Sequence, residues 1–263
     1  MEEGLAGGVA NAGRVTRDGA YVFRPSNPHS RSVHALLAAV RGAGFDGASA
    51  PVGIGDDGRE QLLFIEGEVP LPPYPSWSQS DPVLASLAGL LLEFHRASRV
   101  FSPEGSSWSQ EMADPDGGSI VCHNDVCLEN VVFRDGVAVG LLDFDFAAPG
   151  RPVYDLAQMA RMCVPVDDDV SAARLGWEVP DRPARLRLVA DAYGLGPEER
   201  GQLLDIVAQS MQRGGEFVRR RVERGDPNFV RMLEEMGGME RFERRRRWWE
   251  GQRRSFTAAL DSV

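Results

Sequence analysis

The sequence predicts an α+β protein with a small N-terminal lobe built on an antiparallel sheet and a larger, mainly helical C-terminal lobe. Before residue 68 the apolar segments are short, as in strands, with one helical stretch among them. After it, longer segments carry apolar residues at helical spacing, and a proline-rich run at 71–75 separates the two parts. We therefore expect an N-terminal lobe over residues 1–68 and a C-terminal lobe over residues 69–263.

The N-terminal lobe is predicted to contain two clear strands and one helix. Residues 20–25 and 61–65 have strand composition, and the second of these is expected to be buried. A helix is expected to begin near Pro28 and to end at the glycines of 42–44, because Val, Leu, Leu and Val recur between them at helical spacing. Upstream, residues 7–15 are rich in glycine and allow a strand-turn-strand, although a flexible terminus explains the same composition.

The C-terminal lobe is predicted to be mostly helical. A helix beginning at Asp81 has a strong start signal in the following proline and a continuous apolar face that includes His95, which we interpret as a core histidine. Later helical patterns run over 152–162, 183–193, 197–223, 227–237 and 241–260.

A hairpin is predicted between these helices, over residues 130–142. Two apolar strands flank Asp135-Gly136, which is a strong two-residue turn signal. The hairpin returns Asp143 towards Asn130, with Asp125 at the mouth of the preceding loop. Oxygen-bearing side chains that are distant in sequence are thus expected to converge.

This constellation has the groups that phosphoryl transfer requires. One carboxylate must receive a proton from the attacking hydroxyl, whereas an amide and a second carboxylate hold magnesium against nucleotide phosphates. Asp125, Asn130 and Asp143 provide two carboxylates and an amide of this kind. His123 is expected to be a buried histidine that orients the loop.

The motif HNDxxxxN at 123–130 and the segment LLDFDFAAPGRPVYDLA at 141–157 resemble the aminoglycoside phosphotransferase and choline kinase-like family, a relative of the protein kinases. The resemblance implies a two-lobed protein-kinase-like fold with ATP or GTP as co-substrate. It implies Asp125 as the catalytic base, Asn130 and Asp143 as magnesium ligands, and Asp155 as a brace of the catalytic loop. It also implies a hinge at Glu66, Gly67 and Glu68, where backbone groups pair with the purine. Backbone recognition has no side-chain signature, so ATP and GTP are not distinguished.

The sequence departs from this family in one important respect, because it contains no lysine. The family normally has a strand lysine that contacts the phosphates and a glutamate on the next helix that pairs with it. Here Arg24 is the candidate for the phosphate contact, although a surface arginine at a strand end is the alternative. The helix has no glutamate, and His34 occupies roughly that place, so the ion pair is either missing or supplied from elsewhere.

Charge suggests the class of acceptor. Residues 1–210 have a balance of −14 and residues 211–263 a balance of +4. An acidic body disfavours nucleic acid and attracts cations, so the first expectation for the acceptor is a cationic, aminoglycoside-like sugar. The arginines of 244–247 are expected to lie on a solvated helix face. Candidate acceptor-binding residues are Asp145, Asp167, Asp168, Trp177 and Glu216, for which ordinary surface acidity or helix capping is the alternative.

The remaining features predict a cytoplasmic protein without membrane contact, since no secretory signal or spanning segment is evident and the three cysteines form no pair or metal-ligand spacing. The function predicted is transfer of the γ-phosphoryl group of ATP or GTP to a hydroxyl of a small molecule, with Mg²⁺. Two alternatives remain open: a kinase-fold enzyme with a different acceptor or transferred group, and a non-catalytic nucleotide-binding pseudokinase.

Overall fold

The computed structural model describes residues 2–5, 13–178 and 181–262. Its strands are β1 (Glu3–Gly4), β2 (Thr16–Asp18), β3 (Tyr21–Pro25), β4 (Pro51–Ile54), β5 (Arg59–Leu63), β6 (Ile120–Cys122), β7 (Val131–Arg134), β8 (Val137–Leu141) and β9 (Ala148–Gly150). Its helices are α1 (Ser30–Gly42), α2 (Asp81–Ser98), α3 (Pro152–Cys163), α4 (Asp169–Arg174), α5 (Arg182–Tyr193), α6 (Pro197–Glu223), α7 (Pro227–Glu235) and α8 (Glu240–Asp261).

The N-terminal part is an antiparallel sheet with one helix, which confirms the predicted fold class. The sheet is five-stranded in the order β1-β2-β3-β5-β4. The register of β3 and β5 places Arg24 directly opposite Glu60. Helix α1 follows β3 and buries the apolar stripe that predicted it, including Leu36 and Val40.

Two predictions in this lobe need comment. The strand predicted at 61–65 begins two residues earlier, and it is not buried: Leu63 is exposed, whereas Leu62, Phe64 and Ile65 are half-buried. The reason is that one face of the sheet forms the wall of an open cleft instead of packing into a core. The glycine-rich prediction at 7–15 falls largely on residues 6–12, which lie outside the described residues.

The C-terminal part is built around α2, which packs against α1, α5, β6 and β8. Leu87, Leu91 and Phe94 on this helix are completely buried. The helices follow the predicted segments closely, but α4 was not predicted. It has six residues, too few to show an apolar period, so only its capping aspartates indicated it.

The predicted hairpin is β7-β8. Asp135 and Gly136 both have positive φ, as a type I′ turn requires. The hairpin is joined to the chain that leaves the N-terminal lobe, because Glu68 and Phe133 exchange two backbone hydrogen bonds, each of 2.8 Å. The lobe boundary at residue 68 remains a prediction.

The arginine run at the start of α8 does not lie wholly in solvent. Arg246 and Arg247 are exposed and pair with Glu243, as expected of a solvated face. Arg245, however, is buried, and the half-buried Arg244 pairs with the buried Asp168. None of the helices in the described part of the chain combines the length and apolar character that a bilayer crossing requires. The cysteines are free and buried.

Candidate active site

The loop between β6 and β7 brings Asp125 and Asn130 into direct contact. The Asn130 amide nitrogen donates to the carboxylate of Asp125 at 3.1 Å and to its backbone carbonyl at 3.0 Å. Both bonds use the nitrogen, so the amide oxygen of Asn130 is directed away from Asp125. The base and one metal ligand predicted from the sequence are therefore one hydrogen-bonded unit.

His123 links this loop to the strand that precedes Asp143. Its Nε2 donates to the carbonyl of Leu142 at 2.8 Å, and its Nδ1 accepts the backbone N–H of Asp125 at 3.2 Å. Burial lowers the pKa of His123, which keeps the ring neutral and suits one donor and one acceptor. The histidine thus contacts both segments of the site without facing the cleft.

Asp155 holds the same loop from helix α3. Its carboxylate accepts the backbone N–H groups of His123 at 2.6 Å and Asn124 at 2.8 Å, and it also accepts His95 Nε2 at 2.9 Å. Burial by itself would raise the pKa of Asp155, but these bonds and the neighbouring histidines lower it below its usual value. His95 is in turn bonded to the Tyr193 hydroxyl, so a buried network fixes the loop.

Asp143 follows the hairpin in an unusual backbone conformation. It has a φ of 59°, and Asn124, beside the predicted base, has a φ of 63°. Non-glycine residues adopt this left-handed region at a cost of about 1–3 kcal/mol, and such residues concentrate at functional sites. Both residues are next to predicted catalytic groups, which is consistent with a constrained site.

A cleft of about 370 Å³ opens between the sheet and the hairpin. Its walls are mainly apolar, with Val22, Leu62 and Phe64 on one side and Val132 and Leu141 on the other. Its polar end is formed by Arg24, Glu60, Asn130, Asp143 and Asp145. An apolar slot with polar groups at one end has the form that a nucleotide base and its phosphates require.

Arg24 lies at the polar end, but it contacts carboxylates there. Its Nη1 is 3.1 Å from Asp143 Oδ1, and its Nη2 pairs with Asp145, which also accepts the amide of Asn27. Burial by itself would lower the pKa of Arg24, whereas the charges of Asp143, Asp145 and Glu60 raise it above its usual value. The alternative of a surface strand-end arginine is wrong, because Arg24 is only 8% exposed.

The acid that supports Arg24 comes from a strand. Glu60 on β5 is buried opposite Arg24, and its charge acts on the arginine. On its other side, Glu60 accepts Ser30 Oγ and His34 Nε2 from helix α1. The helix is therefore coupled to Arg24 through a strand glutamate, which explains why α1 needs no acid of its own.

The predicted hinge is largely occupied by internal bonds. The N–H and C=O of Glu68 both pair with Phe133, and the carbonyl of Glu66 accepts Arg134 Nε at 2.7 Å. These three backbone groups are engaged within the chain, and the purine contact at the hinge stays a prediction. Of the three hinge residues only Gly67 lines the cleft.

The candidate acceptor residues do not form one site. Asp145 is paired with Arg24, and Asp167 is paired with Arg241 at 2.8 Å. Asp168 caps α4, where it accepts the N–H and hydroxyl of Ser171. Trp177 is 5% exposed and packs its ring against Tyr74, so the expectation that it stacks on a ligand is wrong. Glu216 accepts the amide of Gln212 on the same helix.

The environment of Asp125 suits a base. Burial, and then the charge of Asp143, raise the pKa of Asp125 well above its usual value, while the charge of Arg161 opposes the shift. A carboxylate tuned upward in this way is a better proton acceptor near neutral pH. Arg161 and Glu60 were missed from the sequence: Glu60 lies in a strand of mixed polarity and Arg161 in an amphipathic helix, where charged residues are ordinary.

The polar end of the cleft fits a divalent cation. Asn130 and Asp143 line it together and offer an amide oxygen and a carboxylate, and hard cations such as Mg²⁺ prefer oxygen ligands and retain several waters. These two residues would hold the metal, which would neutralise phosphate charge when bound. Since Arg24 contacts Asp143, the metal and the arginine would share one carboxylate.

Comparisons with known proteins define the class of the protein. Residues 104–189 match the sequence model of the phosphotransferase enzyme family. The chain is 36% identical over 197 residues to the trifolitoxin immunity protein of Rhizobium leguminosarum bv. trifolii, an alignment that covers 73% of this chain and 74% of that protein.

Solved structures agree on the fold. A choline/ethanolamine kinase family protein from Mesorhizobium loti superposes with a TM-score of 0.64 at 16% identity, covering 100% of this chain and 93% of that one. The amicoumacin kinase hAmiN superposes with a TM-score of 0.61 at 11% identity, covering 95% of this chain and 88% of that one. The gentamicin complex of APH(2")-IIa superposes with a TM-score of 0.56 at 13% identity, covering 90% of each chain.

The fold is therefore the two-lobed, protein-kinase-like fold of small-molecule kinases. The chain belongs to the phosphotransferase enzyme family.

Proposed function

We propose that this protein transfers the γ-phosphoryl group of ATP or GTP to a hydroxyl group of a small molecule. One observation carries the proposal. Asp125 and Asn130 are in direct contact, and Asn130 and Asp143 line the same end of the cleft. This arrangement supplies a base and two oxygen ligands for magnesium within one cluster, as phosphoryl transfer requires.

In this proposal each residue has a distinct task. Asp125 orients the acceptor hydroxyl and receives its proton, and its raised pKa suits that step. Asn130 and Asp143 hold magnesium, and Arg24, released from Asp143 and Asp145, contacts the phosphates. His123 and Asp155 keep the loop in place through the bonds described above.

The biological role we propose is protection against a toxic compound by phosphorylation of one of its hydroxyl groups. Support comes from the relative named as an immunity protein and from the structural relatives that are bound to gentamicin or described as an amicoumacin kinase. Cells that express the wild-type chain should tolerate a compound that inhibits cells expressing Asp125→Asn.

The catalytic proposal is tested by measuring magnesium-dependent nucleotide turnover with a panel of hydroxyl compounds. Asp125→Asn should lower turnover by about two to four orders of magnitude and leave nucleotide binding nearly intact, the usual scale for a positioned base. Asp143→Ala should instead weaken magnesium-nucleotide binding as well as turnover.

Asp56→Asn is the matched control, because Asp56 is exposed in the turn between β4 and β5. Near-normal turnover of Asp125→Asn would exclude Asp125 as the base. If nucleotide binds the wild-type protein but no acceptor in the panel promotes turnover, the result favours a nucleotide-binding regulator. The bond between Arg24 and Asp143 is compatible with that role, as is the absence of lysine.

A further inference from the structure

Helix α3 runs along the whole loop that contains Asp125. Asp155 holds the residues before Asp125, Gln158 Nε2 donates to the carbonyl of Asn124 at 3.3 Å, and Cys163 Sγ lies 3.7 Å from the carbonyl of Val126. Arg161 is three residues after Gln158, so it lies on the same face of this helix. Arg161 is therefore on the face of α3 that contacts the loop, and its charge acts on Asp125.

Arg161 has an unusual environment for a cation. Its guanidinium lies against the backbone of α6, where an added Cβ on Gly214 would be 3.6 Å from Cζ and both terminal nitrogens. Within the described part of the chain it donates no hydrogen bond and forms no ion pair, and its Nε is buried without a partner. Burial lowers the pKa of Arg161, whereas the charges of Asp125 and Asp167 act in the opposite direction.

Helix α8 adds three further arginines to the same region. Arg245 is 5% exposed and donates to the backbone carbonyl of Met211, and its charge acts on Arg161. Arg241 pairs with Asp167 and Arg244 with Asp168. We call Arg161, Arg241, Arg244 and Arg245 the arginine cluster; its four members outnumber the three aspartates near it, which are Asp167 and Asp168 in ion pairs and Asp125, whose charge acts on Arg161.

Several nitrogens of the cluster are unsatisfied. Besides Arg161 Nε, the described residues provide no hydrogen-bond partner for Arg241 Nε or for Arg244 Nε and Nη2, all of which are buried, although Arg244 Nε lies 3.5 Å from Asp168 Oδ1. A buried cation without a counter-charge costs several kcal/mol, so such groups normally pair with an anion. Guanidinium groups bind carboxylates especially well, because the planar fork matches two oxygens.

Given the proposed phosphotransferase function, we infer that the acceptor carries a carboxylate, which binds to Arg161 and the arginine cluster while the hydroxyl of the acceptor faces Asp125. The excess charge of the cluster is neutralised when the acceptor binds. The acceptor is thus a hydroxylated acid, in contrast to the cationic sugar expected from the overall charge of the chain.

The acidic residues that favoured a cationic acceptor are accounted for otherwise. Asp145 is bound to Arg24, Asp167 to Arg241 and Asp168 to Ser171. The net charge reflects the surface of the whole molecule, whereas acceptor choice depends on the few groups beside the base.

The test compares three versions of one hydroxylated ring: D-glucuronate, D-glucose and D-glucosamine. Binding is measured by calorimetry to wild-type protein saturated with magnesium and a non-hydrolysable ATP analogue, which fills the phosphate site in advance. Glucuronate should bind about tenfold or more tighter than glucose, the scale of one charge-assisted hydrogen bond, and glucosamine should bind most weakly. Equal binding of glucuronate and glucose, or preference for glucosamine, would overturn the inference.

Variants then locate the anion site. Arg161→Gln should remove most of the preference for glucuronate, and Arg161→Lys should retain part of it, because the charge persists. Arg247→Gln is the matched control on α8, since Arg247 is exposed and pairs only weakly with Glu243. Circular dichroism and analogue binding verify folding; equal losses in Arg161→Gln and Arg247→Gln would contradict the assignment.

These outcomes separate the two proposals. Selective binding of glucuronate in a protein that never transfers phosphate would count against the phosphotransferase function alone. Transfer to a cationic acceptor, without any preference for glucuronate, would count against the carboxylate site alone.

Discussion

Arg24 Nη1 lies 3.1 Å from Asp143 Oδ1, so the residue predicted to hold phosphates is bonded to the residue predicted to hold magnesium. The same guanidinium pairs with Asp145. Under the proposed function these contacts would have to be exchanged when a magnesium-nucleotide binds: Asp143 would hold the cation, and Arg24 would become available for phosphate oxygens. The pair would make metal binding and phosphate binding interdependent.

Replacement of Arg24 should affect metal and nucleotide in opposite directions. In Arg24→Ala, Asp143 has no competing cation, so less magnesium should be needed for half-maximal binding, whereas the nucleotide requirement should rise by about tenfold through loss of a charged phosphate contact. Arg24→Lys should retain part of the phosphate contact. Magnesium and nucleotide titrations measure both quantities.

Arg41→Ala is the control for this series, because Arg41 lies on α1 and pairs with Asp46 at the surface. A nucleotide requirement unchanged in Arg24→Ala would show that other groups hold the phosphates.

Loss of the charge of Glu60 should weaken nucleotide binding indirectly, because Glu60 acts through Arg24 and not through contact with the nucleotide base. Glu60→Gln keeps the shape but removes the negative charge opposite Arg24 and weakens the bonds to Ser30 and His34. We expect the Michaelis constant for nucleotide to rise by about three- to tenfold, a loss of about 1 kcal/mol. The exposed Glu66→Gln, which loses only its pair with Arg17, should bind nucleotide normally.

The pH dependence of turnover should report the raised pKa of Asp125. The base acts as a carboxylate, so the rate should increase as pH rises through this pKa, which lies well above the ordinary aspartate value near 4. Because the charge of Arg161 lowers the pKa of Asp125, Arg161→Gln should move the acidic limb to higher pH. A profile that shifts downward, or one that moves equally in Arg247→Gln, would contradict the proximity of Arg161 to the base.

Asp155 should contribute to stability as well as to the loop. Asp155→Asn puts an amide against the backbone donors of His123 and Asn124, so at least one buried polar group loses its partner. We expect a loss of about 2–4 kcal/mol in the free energy of unfolding and a slower enzyme. Asp116→Asn, at an exposed ion pair with Arg151, serves as control in the same denaturation experiment.

The sign of the pH effect at Asp155 follows from its pKa. The pKa is lower in the folded protein than in the unfolded chain, so this stabilisation is present above about pH 4 and is lost as pH falls through the folded value. Wild-type and Asp155→Asn proteins should therefore converge in stability in acid. If the difference in stability between the wild-type and Asp155→Asn proteins stays constant down to low pH, the destabilisation caused by Asp155→Asn is a packing effect.

Short-range patterns were enough to predict the architecture. The turn at Asp135-Gly136, the apolar stripe of α1 and the proline at the start of α2 each depend on neighbouring residues, and such local signals predicted these elements with bounds close to those observed. The loop motif likewise predicted that Asp125, Asn130 and Asp143 would converge, since a hairpin of known length joins them. The prediction that the strand at 61–65 is buried was wrong, because a strand in a cleft wall and a strand in a core have similar composition.

Partner choice among charged side chains depended on the tertiary structure. Arg24, Asp145, Glu60 and His34 come from separate segments, and nothing in their spacing states which cation meets which carboxylate. The same holds for Arg161 and the arginines of α8, which are ordinary helix residues in the sequence but meet one another, and Asp167 and Asp168, in the fold. Electrostatic interaction depends on distance in space and on burial, and both arise only when α1, α3, α6 and α8 pack around the loop.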